Sequence, residues 1–307
     1  MNRLAGIVVA VIGFIIAVLS VLKVIPGLTT TGVIMILLGG LTIGLSFVNK
    51  PEADGAERMS TPETLLNIFV SPAETFQNLR RHPRWLVAVL IMSLLSTIFA
   101  NLFLYRLGAE RVANFATDKT LEISFLPDES RKQIEARRAQ AIADAKDPVV
   151  RAGQAVSSFA GSVYLMAFLG LVFMLIAIAM GAKINYWQAF SATVYAFFPV
   201  AVLRFILNTV ILFIKDPTDI HPITGQSSLI QDNLSFLVVP AEHPVLYTLL
   251  GMFSLLWFYW IWLNATGLKN TGERVGSSAA WTATLSVFFL MILLGTVAAL
   301  LFPSFIS

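Results

Sequence analysis

Seven long apolar runs constrain this chain more than any other feature of its sequence, and a single charged residue, Arg204, lies within them. The runs are Leu4–Leu22, Gly32–Val48, Leu86–Leu104, Ala155–Gly181, Trp187–Ile214, Val245–Leu263 and Ala279–Phe302. A helix needs about 20 predominantly apolar residues to cross the hydrocarbon core of a bilayer. Membrane strands are a poor alternative, because the roughly 10-residue alternation of a β-barrel is missing. The sequence therefore predicts an all-α fold, a polytopic transmembrane helix bundle of about seven spans.

The composition excludes several other classes of protein. Hydrophobic residues make up 57% of the chain and charged residues only 13%, whereas soluble proteins average about 25% charged residues. The chain contains no cysteine, which excludes a disulfide scaffold and thiolate metal sites. The formal net charge of +3 is small for a nucleic-acid-binding protein, so no nucleic-acid partner is expected.

The apolar runs divide the chain into three predicted regions. Residues 1–48 form an N-terminal transmembrane hairpin, and residues 49–85 form a cytoplasmic link with an interfacial amphipathic helix. Residues 86–305 form a five-span membrane domain, with a charged helical outer segment at 105–154. Lysine and arginine in the short loops favour a topology with the N-terminus inside and the C-terminus outside.

The helix of the link is predicted from Ser71-Pro-Ala-Glu74. Serine before a helix, proline at its first position and glutamate three residues after the serine are typical of a capping box. We therefore expect a helix over 72–81, capped by Ser71 and lying in the membrane interface. Three arginines near its end are predicted to bind anionic lipid headgroups, and plain positive-inside anchoring is the alternative that the sequence leaves open; they are Arg80, Arg81 and Arg84.

No pattern typical of an active site or a metal centre is found. The three histidines, His82, His221 and His243, lie in loops and lack the spacing of a zinc site. None of the apolar runs contains an aspartate or glutamate that could act as an acid or base within the membrane. We therefore predict no enzyme, no catalytic, cofactor-binding or metal-binding residue, and no cofactor.

Arg204 marks a candidate functional or structural polar centre. Asn208 lies one turn onward on the same face, Ser254 is expected at similar depth, and Pro199 frees the carbonyl group of Tyr195. An arginine at the bilayer centre costs about 2.5 to 3.5 kcal/mol. Arg204 is therefore expected either to face inward to a layer of hydroxyl groups or to extend to the outer headgroups. The other hydroxyl groups of that layer belong to Ser96, Thr97 and Tyr164.

A longer pattern resembles a known family. The stretch Phe69-Val-Ser-Pro-Ala-Glu-Thr-Phe76, followed by arginines, a proline and a tryptophan that opens a span, is similar to the start of the Yip-one domain. The later features of that domain also have counterparts here, over about 60–305. They are five spans, a long charged loop after the first, the stretch Tyr195-Ala-Phe-Phe-Pro199, and a short loop with glycine and lysine before the last span.

The resemblance implies a polytopic membrane protein without catalytic residues. Eukaryotic members of the family associate with prenylated Rab GTPases and shape or traffic secretory membranes. This chain lacks their long N-terminal region and its Asp-Leu-Tyr-Gly-Pro motif, which argues against a Rab-type GTPase as partner. The chain resembles the prokaryotic branch, for which the cytoplasmic membrane is the expected location.

The sequence thus predicts a non-enzymatic membrane organiser or partner-binding module. Its expected partners are the lipid bilayer, anionic lipids, and membrane or peripheral proteins. The alternative is a transporter of a small solute or lipid that uses the polar fifth span.

Overall fold

A computed structural model describes residues 2–22, 24, 28–45, 58–123 and 126–306. Over these residues the regular structure is helical, and one isolated antiparallel bridge joins Lys183 to Arg274. The all-α prediction is therefore confirmed. The fourteen α-helices of the described residues are α1 (Asn2–Val21), α2 (Thr29–Leu45), α3 (Thr61–Val70), α4 (Pro72–Arg81), α5 (Leu86–Leu107), α6 (Ala109–Leu121), α7 (Asp128–Ala136), α8 (Arg138–Lys146), α9 (Pro148–Ala179), α10 (Tyr186–Ile214), α11 (Thr224–Ser227), α12 (Pro244–Gly251), α13 (Leu255–Thr271) and α14 (Ser277–Leu301). Short 3-10 helices lie at Pro217–Asp219, Leu234–Leu237 and Pro303–Phe305.

Four of these helices, α5, α9, α10 and α14, are long and apolar enough to cross a membrane. The pair α12 and α13 provides a fifth span if it is counted as one, although the two helices are bent by 47° at the break between them. The hairpin helices α1 and α2 are apolar but shorter. Together these elements agree with the helical membrane bundle that the apolar runs predict.

The two hairpin helices pack closely through glycine. A Cβ atom added at Gly39 would lie 2.5 Å from the backbone nitrogen of Ala10, and one at Gly13 would lie 2.7 Å from the Cβ of Met35. Such distances are too short for real side chains, so larger residues would push α1 and α2 apart.

The helix predicted over 72–81 is present as α4, but the cap predicted at Ser71 is wrong. The Ser71 side chain makes no capping hydrogen bond, because Ser71 also ends α3, where its N–H donates to the Asn67 carbonyl and its backbone has φ −132° and ψ 65°. A capping box is found one helix earlier instead. Ser60 Oγ accepts a hydrogen bond from the Glu63 N–H at 3.2 Å, and the Ser60 N–H donates to Glu63 Oε2 at 3.1 Å.

The solvated helix predicted within the charged segment is present as two helices, α7 and α8, which meet at Arg137. The preceding helix α6 is joined to α8 by ion pairs. Arg138 lies 2.7 Å from Asp118, and Lys146 lies 3.0 Å from Glu110. Burial of apolar surface contributes little to α7 and α8, since neither helix contains a buried residue.

The chain divides into two compact units. The first comprises Met1–Leu94, Ala152–Val200 and Trp260–Val287, and the second comprises Leu95–Arg151, Ala201–Tyr259 and Phe288–Ser307. In the first unit Trp260 is 0% exposed, and its ring packs between those of Phe173 and Phe197. The core of the second unit contains six buried apolar residues, Phe99, Phe103, Leu107, Val112, Leu212 and Ile220.

Candidate functional site

A polar cavity of about 820 Å³ opens in the first unit between α4 and the turn that joins α13 to α14. We call it the α4 basin. Its basic side chains outnumber its acidic ones by two, so the basin favours an anionic ligand. The charged residues that line it are Arg80, Arg81, Lys269, Arg274, Glu74 and Glu273.

The amphipathic character of α4 explains why its polar side chains line the basin. Phe76 and Leu79 are both 0% exposed, so the opposite face of the helix, with Gln77 and Arg80, is the one that borders the cavity. Gly267 allows α13 to approach α4 closely, because a Cβ atom there would lie 3.0 Å from the Phe76 ring. Apolar packing between the two helices therefore sets the orientation of the charged face.

Backbone hydrogen bonds hold the opposite wall of the basin. The Lys183 N–H donates to the Arg274 carbonyl at 3.3 Å, and the Glu273 N–H donates to the Lys183 carbonyl at 2.8 Å. On the near wall, Gln188 Nε2 donates to the Arg80 carbonyl at 3.2 Å and joins α10 to α4. The shape of the basin is thus held by bonds that do not involve its charged side chains, and these side chains can be changed without removing the bonds.

Arg84 lies beside the basin and lines a different cavity. Its Nη2 donates to the Met59 carbonyl at 2.6 Å and to Asn78 Oδ1 at 3.4 Å. With Arg58 and Tyr195, Arg84 lines a cavity of about 210 Å³, which we call the Arg84 pocket. Burial, and secondarily the neighbouring Arg58, lower the pKa of Arg84 below its ordinary value.

The three arginines predicted to bind headgroups therefore line two cavities. Arg80 and Arg81 line the α4 basin, whereas Arg84 lines the Arg84 pocket. The position of Lys269 and Arg274 beside α4 was not predictable from the sequence, since they lie far along the chain and no local pattern links the two regions.

In the second unit, two residues of the predicted polar centre, Arg204 and Asn208, lie near the loop that follows α10. Asn208 is 2% exposed, and its Oδ1 accepts a hydrogen bond from the Leu229 N–H at 2.8 Å. Arg204 is half-buried, and its Nε has no hydrogen-bond partner among the described residues. Its guanidinium interacts electrostatically with the carboxylate of Asp232. The counter-charge that no span supplies therefore comes from a loop.

Asp232 also stabilises the break between α12 and α13. Its Oδ2 accepts a hydrogen bond from the Leu256 N–H at 3.0 Å, and its carbonyl accepts one from the Leu255 N–H at 3.3 Å. Ser254 Oγ accepts a third, from the Trp257 N–H at 3.1 Å. The prediction of one continuous helix over Val245–Leu263 is therefore wrong, because these acceptors satisfy the free N–H groups of a new helix start.

The remaining residues of the predicted polar centre have other surroundings. Tyr195 and Pro199 belong to the first unit, where Tyr195 lines the Arg84 pocket. Of the hydroxyl residues expected at similar depth, Ser96 is exposed, and Tyr164 lines an apolar cavity of about 460 Å³ in the first unit.

The described residues contain no group of three or more histidines and acids that could hold a metal ion. His221 has a local role in a turn, where its Nδ1 accepts hydrogen bonds from the N–H groups of Ile223 and Thr224. The chemistry that the two polar cavities of the first unit support is the binding of anions.

Comparison with known families gives one result that covers most of the chain. The family model of the Yip1 domain, the Yip-one domain named above, matches residues 66–300. No match was found among curated proteins or among solved structures. The match and the apolar helices together show an integral, multi-pass membrane protein. The chain belongs to the Yip1 domain family.

Proposed function

We propose that this protein is a non-enzymatic membrane organiser that binds a partner through the α4 basin, on the cytoplasmic side of a prokaryotic membrane. The observation that carries the proposal is the basin itself, a wide polar cavity in which Arg80, Arg81, Lys269 and Arg274 meet from two segments far apart in the chain. The partner is expected to be a membrane or peripheral protein that presents an acidic segment.

The shape and chemistry of the basin support binding more than catalysis. The basin offers guanidinium, ammonium and amide groups that can bind carboxylates. Its acidic residues, Glu74 and Glu273, are exposed to solvent, whereas a general acid or base usually lies in a buried environment.

Cross-linking in native membranes tests the basin directly. A photo-activated cross-linker at Gln77, which lines the basin, should capture a protein partner. The double charge reversal Arg80→Glu with Lys269→Glu should abolish the product, whereas the matched reversal Lys132→Glu with Arg137→Glu on exposed positions of the charged segment should leave it intact. An equal yield from both variants would contradict the proposal.

The cytoplasmic placement of the basin has its own test. Because the chain has no cysteine, single cysteines report topology without removal of a background. Ser277→Cys, next to the basin turn, should be shielded from an impermeant thiol reagent in intact cells. Ser227→Cys in the loop after α10 should be labelled. The reverse pattern would overturn the orientation.

A second candidate function, transport of a small solute or lipid, is favoured by the break between α12 and α13 and by Arg204. Broken helices with a polar residue at membrane depth are typical of transporter binding sites. Uptake into proteoliposomes that is lost in Arg204→Ala, and retained in the exposed-site variant Lys132→Ala, would favour transport over partner binding.

A further inference from the structure

The geometry of the Arg84 pocket points to a binding site for a single phosphate group, in which Arg58, Arg84 and Tyr195 are the ligands. This inference goes beyond the proposed function, because the pocket is distinct from the α4 basin and takes a small anion. The ligand is a phosphate group with unesterified oxygen atoms, which is either part of a lipid headgroup or present as inorganic phosphate.

The size of the pocket fits one anionic group. Its volume is about 210 Å³, below the roughly 300 to 1,000 Å³ of sites that enclose drug-sized ligands. A water molecule occupies about 30 Å³ in the liquid, so the pocket has room for a phosphate with a few waters. The remaining lining residues, from Thr61 and from Pro83 to Val87, provide no acidic side chain.

The two arginines are held in an arrangement that an anion would stabilise. The Arg84 guanidinium is fixed by neutral acceptors, the Met59 carbonyl and Asn78 Oδ1, and its Nε is buried without a hydrogen-bond partner among the described residues. Arg58 repels it electrostatically. Two like charges that share a partly buried cavity repel each other. An anion bound between them attracts both, so the net electrostatic energy becomes favourable.

The nearby carboxylate does not replace such an anion. Glu63 has the smallest of the electrostatic effects on Arg84. Its side chain accepts the Ser60 N–H within the capping box of α3. Helix capping therefore already uses this carboxylate, and it does not line the pocket.

Tyr195 provides the third ligand. It is 1% exposed and lines the pocket together with both arginines. No hydrogen bond of its hydroxyl group is found within the described part of the chain. Because a buried tyrosine hydroxyl normally has a partner, this O–H group is available to donate to an oxygen atom of a bound anion.

Two guanidinium groups and a hydroxyl group favour phosphate over a carboxylate. Guanidinium groups bind phosphate oxygens through paired N–H donors, and a phosphate presents enough oxygen atoms for all three ligands at once. Leu86 and Val87, at the other wall, begin the spanning helix α5. The pocket therefore lies at the end of a span, where lipid headgroups and aqueous phosphate are both accessible.

Binding to the purified full chain in detergent tests the site with two probes. The first is phosphatidic acid, whose retention is measured by native mass spectrometry against phosphatidylcholine, and the second is radiolabelled inorganic phosphate. We expect Arg58→Gln and Tyr195→Phe each to weaken binding of the effective probe about tenfold or more. The matched control Lys132→Gln, which removes a cation from an exposed position of α7 outside both cavities, should change binding less than twofold.

The outcomes separate the sources and can refute the site. Binding of phosphatidic acid alone assigns the site to a lipid, binding of inorganic phosphate alone assigns it to a solute, and either result with the expected loss in Arg58→Gln supports the inference. Absence of binding for both probes, or binding that is unchanged in Arg58→Gln, overturns it. Since Arg58 is exposed, this variant keeps the test decisive even if Tyr195→Phe does not fold.

Discussion

The positive charges of two partly buried arginines, one in each unit, are compensated in different ways. In the second unit Arg204 interacts with a carboxylate, that of Asp232. In the first unit Arg84 donates to neutral oxygens, of Met59 and Asn78, and shares its pocket with a second arginine. A charge removed from water requires compensation. In the second unit a carboxylate of the same unit provides this compensation. In the first unit positive charge faces a cavity, which is typical of a binding site.

The largest effect is expected at Asp232, whose carboxylate compensates the charge of Arg204 in the second unit. Asp232→Ala removes both a helix cap and the counter-charge of Arg204, and should lower the free energy of unfolding by about 2 kcal/mol or more. Thermal unfolding in detergent would measure the change. Asp219→Ala, an exposed carboxylate in the same loop, should cost less than about 0.5 kcal/mol. Equal losses in both variants would show that the position of Asp232 has no special importance.

Double-mutant cycles compare the two arginines directly. For Arg204→Gln with Asp232→Asn we expect a coupling energy of about 1 kcal/mol, because the two charges interact. For Arg84→Gln with Glu63→Gln the coupling should stay below about 0.3 kcal/mol, since Glu63 is used as a cap. A larger coupling for the second pair would mean that Arg84 has an internal counter-charge, and the contrast between the units would be lost.

A smaller effect is expected at the serine that precedes α3, next to the carbonyl that binds Arg84. Ser60→Ala removes a capping hydrogen bond and should cost about 1 kcal/mol of local helix stability. Ser71→Ala should cost only about 0.3 kcal/mol, because the Ser71 side chain makes no capping hydrogen bond. Hydrogen exchange would report faster amide exchange over 61–70 in the first variant. Faster exchange over 72–81 in Ser71→Ala would restore the cap predicted from the sequence.

The smallest effect is expected at Arg58 in phosphate-free buffer. Removal of one of two like charges in Arg58→Gln should raise the free energy of unfolding by about 0.2 to 0.5 kcal/mol. Lys132→Gln, which removes a cation from an exposed helix position, should leave it unchanged. A destabilised Arg58→Gln protein would mean that the two guanidinium groups do not repel each other.

The two serine motifs show what sequence patterns can and cannot predict. Ser60-Thr-Pro-Glu63 and Ser71-Pro-Ala-Glu74 have the same spacing of serine and glutamate, with a proline between the two, and both precede helices as the pattern indicates. Only the first serine is a side-chain cap, because Ser71 must also end the preceding helix and its backbone follows from that role. The existence of the helices was therefore predictable, whereas the cap depended on the length of the connection.

The candidate sites depended on contacts between distant segments. The apolar runs predicted the membrane helices because burial in lipid requires only local composition. The break between α12 and α13 was not predictable in this way, since Gly251 and Ser254 are common in membrane helices and the deciding residue, Asp232, lies in a loop. Likewise, nothing local joins Arg84 to Tyr195, which α10 brings to the same pocket.

The cap that Asp232 provides also has a consequence for the order of assembly in the membrane. Lipid offers no acceptor for the N–H groups at the start of α13, so the break is favourable only after the Asp232 carboxylate and carbonyl have reached them. Before that contact, residues 244–271 satisfy more of their backbone groups as one straight helix. We therefore expect this segment to enter the bilayer as a straight helix during biosynthesis. It should bend later, when the preceding loop brings Asp232 to the start of α13.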